Sequence, residues 1–249
     1  MTSQSISFVS THLLGEKGEY FTAYQLSGGG FIATWEEQKS NTSSIVYQRF
    51  DDDAQAVGNR VVVADDWDTH VPSIAELGNG NIVVAWQEYS NGFREIQYRV
   101  FDSSDILIKS GVASQNSDDD YLNVKVLDLG QNKFIIDAEI NDDFPGQPSY
   151  GRTLREFDYS GEPLANEVDY ISLVGTTMGS NPIALSNTTV GSLFYSTDNN
   201  TLSFISHDLS PGSLATPITV ATQVDDGIPA ELIGDANELY FSYSSGGKN

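Results

Sequence analysis

Four positions recurring in one order at about 50-residue spacing, apolar runs of strand length, and no sustained helical period predict an all-β fold. The architecture they predict is a β-propeller of about five blades, the last completed by the N-terminal strand. Trp35 in FIATWEE and Trp86 in NIVVAWQE stand 51 residues apart. Asp51, Asp102, Asp158 and Asp208 close YQRFD, YRVFD, LREFD and FISHD at spacings of 51, 56 and 50. A turn signal precedes each tryptophan run, first Ser27-Gly28-Gly29-Gly30 and then Gly78-Asn79-Gly80. Gly130-Gln131-Asn132 and Gly234-Asp235-Ala236-Asn237 hold the same slot in the third and last units.

The second unit shows the strands most clearly. An inner strand A over Pro72 to Leu77 turns at Gly78-Asn79-Gly80 into strand B over Ile82 to Trp86. A loop through Ser90-Asn91-Gly92 leads to strand C over Glu95 to Phe101, and strand D follows near Ile106 to Ala113. The repeats so defined span about 18–71, 72–123, 124–181, 182–228, and 229–249 together with 1–17, all in one domain. The last unit offers only A (Glu231 to Ile233) and B (Glu238 to Tyr243), and Ser5 to Ser10 reads as a D strand that completes it. One C strand is missing from that blade, so it is either incomplete or part of a longer chain. A β-sandwich fits the strand spacing but not the four-position repeat.

The chain of 249 residues carries 35 acidic against 12 basic residues, a formal charge of -23. Such a surface repels phosphate backbones and anionic headgroups, which excludes nucleic acid and membrane partners. It suits divalent cations, neutral sugars or basic protein surfaces. Without cysteine there are no disulfides, thiolate metal sites or cysteine nucleophiles. No apolar run approaches the ~18 residues that span a bilayer, and the N-terminus shows no signal peptide.

The run GGGFIATWEE…IVYQRFDDDAQAVG…VPSIAELGNGNIVVAWQE resembles a repeat of large secreted bacterial proteins, the RTX-like calcium-binding adhesins and haemolysin-type proteins. The likeness is good over residues 28–102 and weakens over 124–181, where Asp137 stands at or near the tryptophan position. It implies an extracellular or cell-surface, propeller-like adhesion module and brings no catalytic residues. The nonapeptide calcium repeat is absent, so calcium binding is not inherited from the resemblance.

Strand order sorts the loops by face. The A–B and C–D turns share one face, and their repetition marks Asp51, Asp102, Asp158 and Asp208 as turn-forming. Trp35 and Trp86, at a repeated strand position, are expected between blades. The D–A and B–C loops share the opposite face and carry the unusual residues. Asp65, Asp66, Asp118, Asp120, Asp225 and Asp226 form a candidate calcium-binding set, since Ca²⁺ takes oxygen ligands. Trp67, Asp68, His70, Asp119, Tyr121 and Phe144 form a candidate ligand-binding set. Aromatic faces beside carboxylates pack on sugar C–H groups and accept hydroxyl hydrogen bonds, or grip a basic side chain.

The function expected from these features is a non-catalytic binding module for carbohydrate or a protein partner, with calcium as its one candidate cofactor. A structural or oligomerisation unit is a further alternative. The catalytic alternative is a polysaccharide-acting hydrolase or lyase built on His70, Asp68 and Asp119. Of the three histidines, His12 and His70 fall in D–A loops, while His207 takes the slot of Phe50, Phe101 and Phe157 and is expected to be structural.

Overall fold

The structure, a computed structural model, describes residues 18–39, 42–66, 68–90, 92–115, 120–142, 149–174, 176–179, 181–196, 200–209, 218–222, 231–234 and 239–242. The N-terminal strand expected to complete the last blade lies outside them. Among the described residues there are strands and no helix, hence no helix long and apolar enough to cross a membrane.

Strands β1 (Gly18–Gln25), β2 (Phe31–Gln38), β3 (Ser43–Phe50) and β4 (Ala56–Asp66) form the first antiparallel sheet in sequence order. The second holds β5 (Thr69–Glu76), β6 (Ile82–Ser90), β7 (Phe93–Phe101) and β8 (Leu107–Val112). The third holds β9 (Asp120–Gly130), β10 (Lys133–Asp142), β11 (Ser149–Asp158) and β12 (Val168–Val174). In the fourth, the inner edge is split between β13 (Thr176–Gly179) and β14 (Ile183–Ser186), both paired to β15 (Thr189–Ser196). β16 (Thr201–Asp208) and β17 (Ile218–Thr222) complete it, and β18 (Glu231–Gly234) pairs with β19 (Leu239–Ser242).

Side-chain alternation gives every sheet two apolar faces, and the sheets stack in one direction. Ile32, Ile45 and Tyr47 of the first sheet pack on Ile82, Val84 and Trp86 of the second. Val83 and Ala85, on the other face of β6, pack on Phe134, Ile136 and Ala138 of the third sheet. Ile135 and Leu154 then meet Val190 and Phe194 of the fourth, and Leu193, Tyr195 and Leu202 meet Leu232 of β18. Each sheet thus presents one face to its predecessor and the other to its successor, as the blades of a β-propeller do. The first sheet's remaining face, with Trp35 only 3% exposed, is the one a closed ring turns toward the last blade.

The recurring aspartates explain the C–D turns. Asp51 Oδ1 accepts hydrogen bonds from the amides of Asp53 and Gln55, Asp102 Oδ1 from Ser104 and Ile106, and Asp158 Oδ1 from Ser160 and Glu162. The fourth residue of each turn is left-handed: Ala54 (φ 58°), Asp105 (φ 63°) and Gly161 (φ 86°). The turn after Asp208 lies outside the described residues. A repeated tyrosine ties the turns after Asp102 and Asp158 to the preceding sheet. Tyr47 Oη donates to Asp105 Oδ1 at 2.8 Å, and Tyr98 Oη donates to the Gly161 carbonyl at 2.7 Å.

Hydrogen-bond register sharpens one position of the repeat. Phe31, Ile82, Phe134 and Val190 face Phe50, Phe101, Phe157 and His207, so the slot of Trp35 and Trp86 is held by Ala138 and Phe194. Asp137 stands one residue earlier, on the opposite face of its sheet. His207 is 5% exposed, and burial lowers its pKa, in keeping with its aromatic slot.

Candidate functional site

The loop face is built on a repeated distortion of the inner strands. β1, β5 and β9 each carry a bulge near their loop ends, and a residue within each bulge is left-handed: Tyr20 (φ 51°), Val71 (φ 47°) and Asn123 (φ 45°). A β-branched residue at positive φ, as at Val71, is strained, and bulges re-aim the side chains beside them. Val71 follows His70 directly.

His70 lies between two carboxylates. Its Nδ1 is 2.9 Å from Oε2 of Glu36, which is 0% exposed in β2, and its Nε2 is 2.6 Å from Asp68 Oδ1. Glu36 Oε1 accepts a hydrogen bond from Gln38 Nε2 at 2.7 Å. The side chains of His70 and Asp68 are 33% and 36% exposed, so the chain Glu36–His70–Asp68 runs from the buried junction of two sheets to solvent. Burial by itself lowers the pKa of His70, but the hydrogen bonds and charges of Glu36 and Asp68 outweigh it and raise the pKa.

This coupling has a thermodynamic signature. A pKa raised on folding contributes stability that is complete below the unfolded value of ~6.5 and is lost as pH rises through the folded value. His70→Asn is therefore expected to cost more stability near pH ~6 than near pH ~9. Urea denaturation of both proteins at the two pH values measures this, and an equal loss at both would show that the imidazolium contributes nothing.

The other expected residues divide. Trp67, Asp118, Asp119, Phe144, Asp225, Asp226 and His12 lie outside the described residues, as does the side chain of Asp66. Asp65 is paired with Lys39 Nζ at 2.7 Å and Ser44 Oγ at 2.7 Å. Asp120 is paired with Arg94, its Oδ2 2.8 Å from Nη1 of the guanidinium. Both carboxylates are thus held by protein groups, and no three acidic or histidine side chains among the described residues converge as metal ligands. Tyr121 is 1% exposed inside β9, packed between the second and third sheets, with its hydroxyl 3.2 Å from Glu167 Oε2. Its ring covers a blade junction and is not open to a ligand.

Two residues escaped the sequence reading. Glu36 adjoins Trp35, and alternation places it on the face of Ile32, where a buried carboxylate is rare unless paired. Lys125, on β9 in register with Asp137, is the one Lys or Arg among the described residues with neither an ion pair nor a hydrogen bond, and burial lowers its pKa. Asp137 itself bonds to Arg152, whose Nη1 also donates to Glu139 Oε1 at 2.9 Å, forming a second charged cluster toward the same mouth.

No family model and no curated protein matches the chain. Solved structures do. A protein of unknown function from Dyadobacter fermentans matches at a TM-score of 0.61 and 9% identity over 87% of this chain and 72% of its own. A PL25 ulvan lyase, a polysaccharide lyase bound to -[GlcA(1-4)Rha3S]-, matches at 0.61 and 9% over 95% of this chain. A second structure described as that lyase matches at 0.58 and 8%. The chain spans 66% and 64% of the two lyase chains. At these identities the likeness is one of fold. It corrects the expectation of a non-catalytic binding module. The architecture is shared with a polysaccharide-cleaving enzyme, and the described part of the mouth carries a carboxylate–imidazole chain.

Proposed function

We propose that this chain is a polysaccharide-cleaving enzyme on a five-bladed propeller, with its reacting groups at the loop-face mouth around Asp68. The Glu36–His70–Asp68 chain carries this reading. Buried Glu36 anchors the imidazole, and the imidazole holds one oxygen of Asp68. Asp68 Oδ2 has no protein partner among the described residues, which leaves it available to take a proton from water. Glycoside hydrolysis needs a second carboxyl group across the scissile bond; Asp119, the candidate the sequence offers, lies outside the described residues. His70 and Glu36 then act as positioning residues. The charge of -23 favours a neutral polymer, because uronate chains are repelled.

Lys125 supports a second reading, β-elimination on a uronate polymer. An amine on the innermost strand would offset the substrate carboxylate while a base removes the adjacent C–H proton. Incubation with neutral and uronate polysaccharides separates the two, since hydrolysis yields reducing ends alone and elimination also yields an ultraviolet-absorbing unsaturated end. Asp68→Asn is expected to lower kcat about 10²–10⁴-fold, with a thermal midpoint close to wild type at pH ~9, where the imidazolium no longer contributes stability. Wild-type turnover retained in that variant would remove Asp68 from the reaction, and no cleavage of any polymer would overturn the enzymatic reading.

A further inference from the structure

The opposite mouth of the propeller holds a cavity of about 540 Å³ between the turn ends of β1, β5 and β9, lined in part by Tyr24, Gln25, Glu76, Leu77 and Asp128. Gln25, Glu76 and Asp128 are repeat-equivalent, paired with Phe31, Ile82 and Phe134, which share one slot of the repeat. Six residues separate His70 from Glu76 along β5, so this cavity is about 20 Å from the Asp68 site.

Its polar groups are fixed yet incompletely satisfied. Glu76 Oε2 accepts the Ser27 amide at 2.6 Å. Asp128 Oδ1 accepts the Tyr159 hydroxyl at 2.6 Å and the Gly130 amide at 3.1 Å. Glu76 Oε1, Asp128 Oδ2, the Gln25 amide and the Tyr24 hydroxyl have no protein partner among the described residues. Burial, with the charges of Asp128 and Glu76, raises the Tyr24 pKa, so its hydroxyl stays a donor. Donors and acceptors therefore converge beside a partly exposed aromatic ring, on an apolar floor that includes Leu77.

We propose that this cavity is a second saccharide-binding site, which seats a neutral pyranose residue apart from the cleavage site. The Tyr24 ring packs on the sugar's C–H face, Glu76 and Asp128 accept its hydroxyls, and Gln25 completes the set. Two carboxylates, with no lining cation among the described residues, disfavour a uronate residue. The site holds a neighbouring stretch of polymer and does not require turnover, so it stands or falls separately from Asp68.

Saturation-transfer NMR with neutral cello-, xylo- and manno-oligosaccharides, and oligogalacturonate as the anionic control, tests it. At least one neutral oligomer is expected to bind wild-type protein and Asp68→Asn alike. Tyr24→Ala and Glu76→Gln are each expected to weaken that binding about tenfold or more with the thermal midpoint retained. Oligogalacturonate is expected not to compete. Absence of binding by every neutral oligomer, binding undiminished in Tyr24→Ala, or equal competition by oligogalacturonate would each overturn the proposal.

Discussion

Replacing Arg152 with Met is expected to lower the free energy of unfolding by about 3–5 kcal/mol, because it leaves the Asp137 carboxylate buried without its cation. Asp137 is 0% exposed and accepts the Arg152 Nε at 2.9 Å, with a second bond from the other guanidinium nitrogen. The pair lies on the face of the third sheet that meets the fourth, among Ile135 and Leu154. Water has little access there to solvate an orphaned charge. Removing both charges at once, as Asp137→Leu with Arg152→Met, is expected to restore most of the loss, since a buried pair often contributes little beyond apolar packing. Glu139 keeps a partner in either variant, because Asn123 Nδ2 donates to its other oxygen at 2.6 Å. Urea denaturation of the two variants decides. A single variant within about 1 kcal/mol of wild type would mean that solvent reaches the cluster.

Trp86→Ala is expected to cost a similar amount, about 3–5 kcal/mol, for a different reason. Trp86 is 2% exposed and fills the junction of the first two blades, against Ile32, Tyr47 and Val63. Its indole N–H donates to Glu88 at 3.2 Å, and the Arg99 guanidinium lies 5.7 Å from its ring centroid. Truncation removes contacts between two blades at once, so the surrounding sheets cannot close the void by a local shift. Trp86→Phe retains most of the volume and is expected to lose well under half as much. Equal losses in the two variants would place the cost in the indole hydrogen bond and not in packing.

The two residues differ in how far their roles were legible. Trp86 recurs as Trp35 at the repeat period, and a large apolar residue at a repeated strand position has few places to go except a blade junction. The turn aspartates were equally readable, because a carboxylate satisfying amides two and four residues on needs only local chain. Arg152 and Asp137 gave no such signal. They sit 15 residues apart on neighbouring strands, and only the register of β10 with β11 brings their side chains together.

The loop face shows the same divide. Strand order by itself placed His70 and Asp68 on the mouth opposite the Asp turns. It could not supply Glu36, which reaches His70 across 34 residues from another blade. Nor could it show that Tyr121, a loop aromatic by position, turns into a core, or that Asp65 and Asp120 are held by Lys39 and Arg94. The cavity of Tyr24, Glu76 and Asp128 was equally hidden, since its walls come from three successive repeats.

By itself, then, the sequence determined what depends on local periodicity: the all-β class, the repeat, its turns and the sorting of loops between two faces. The tertiary structure decided which blade faces which, and therefore which buried carboxylate meets which cation or imidazole. Those pairings follow from the relative placement of whole sheets, which no single repeat encodes because each repeat's faces are completed by its neighbours.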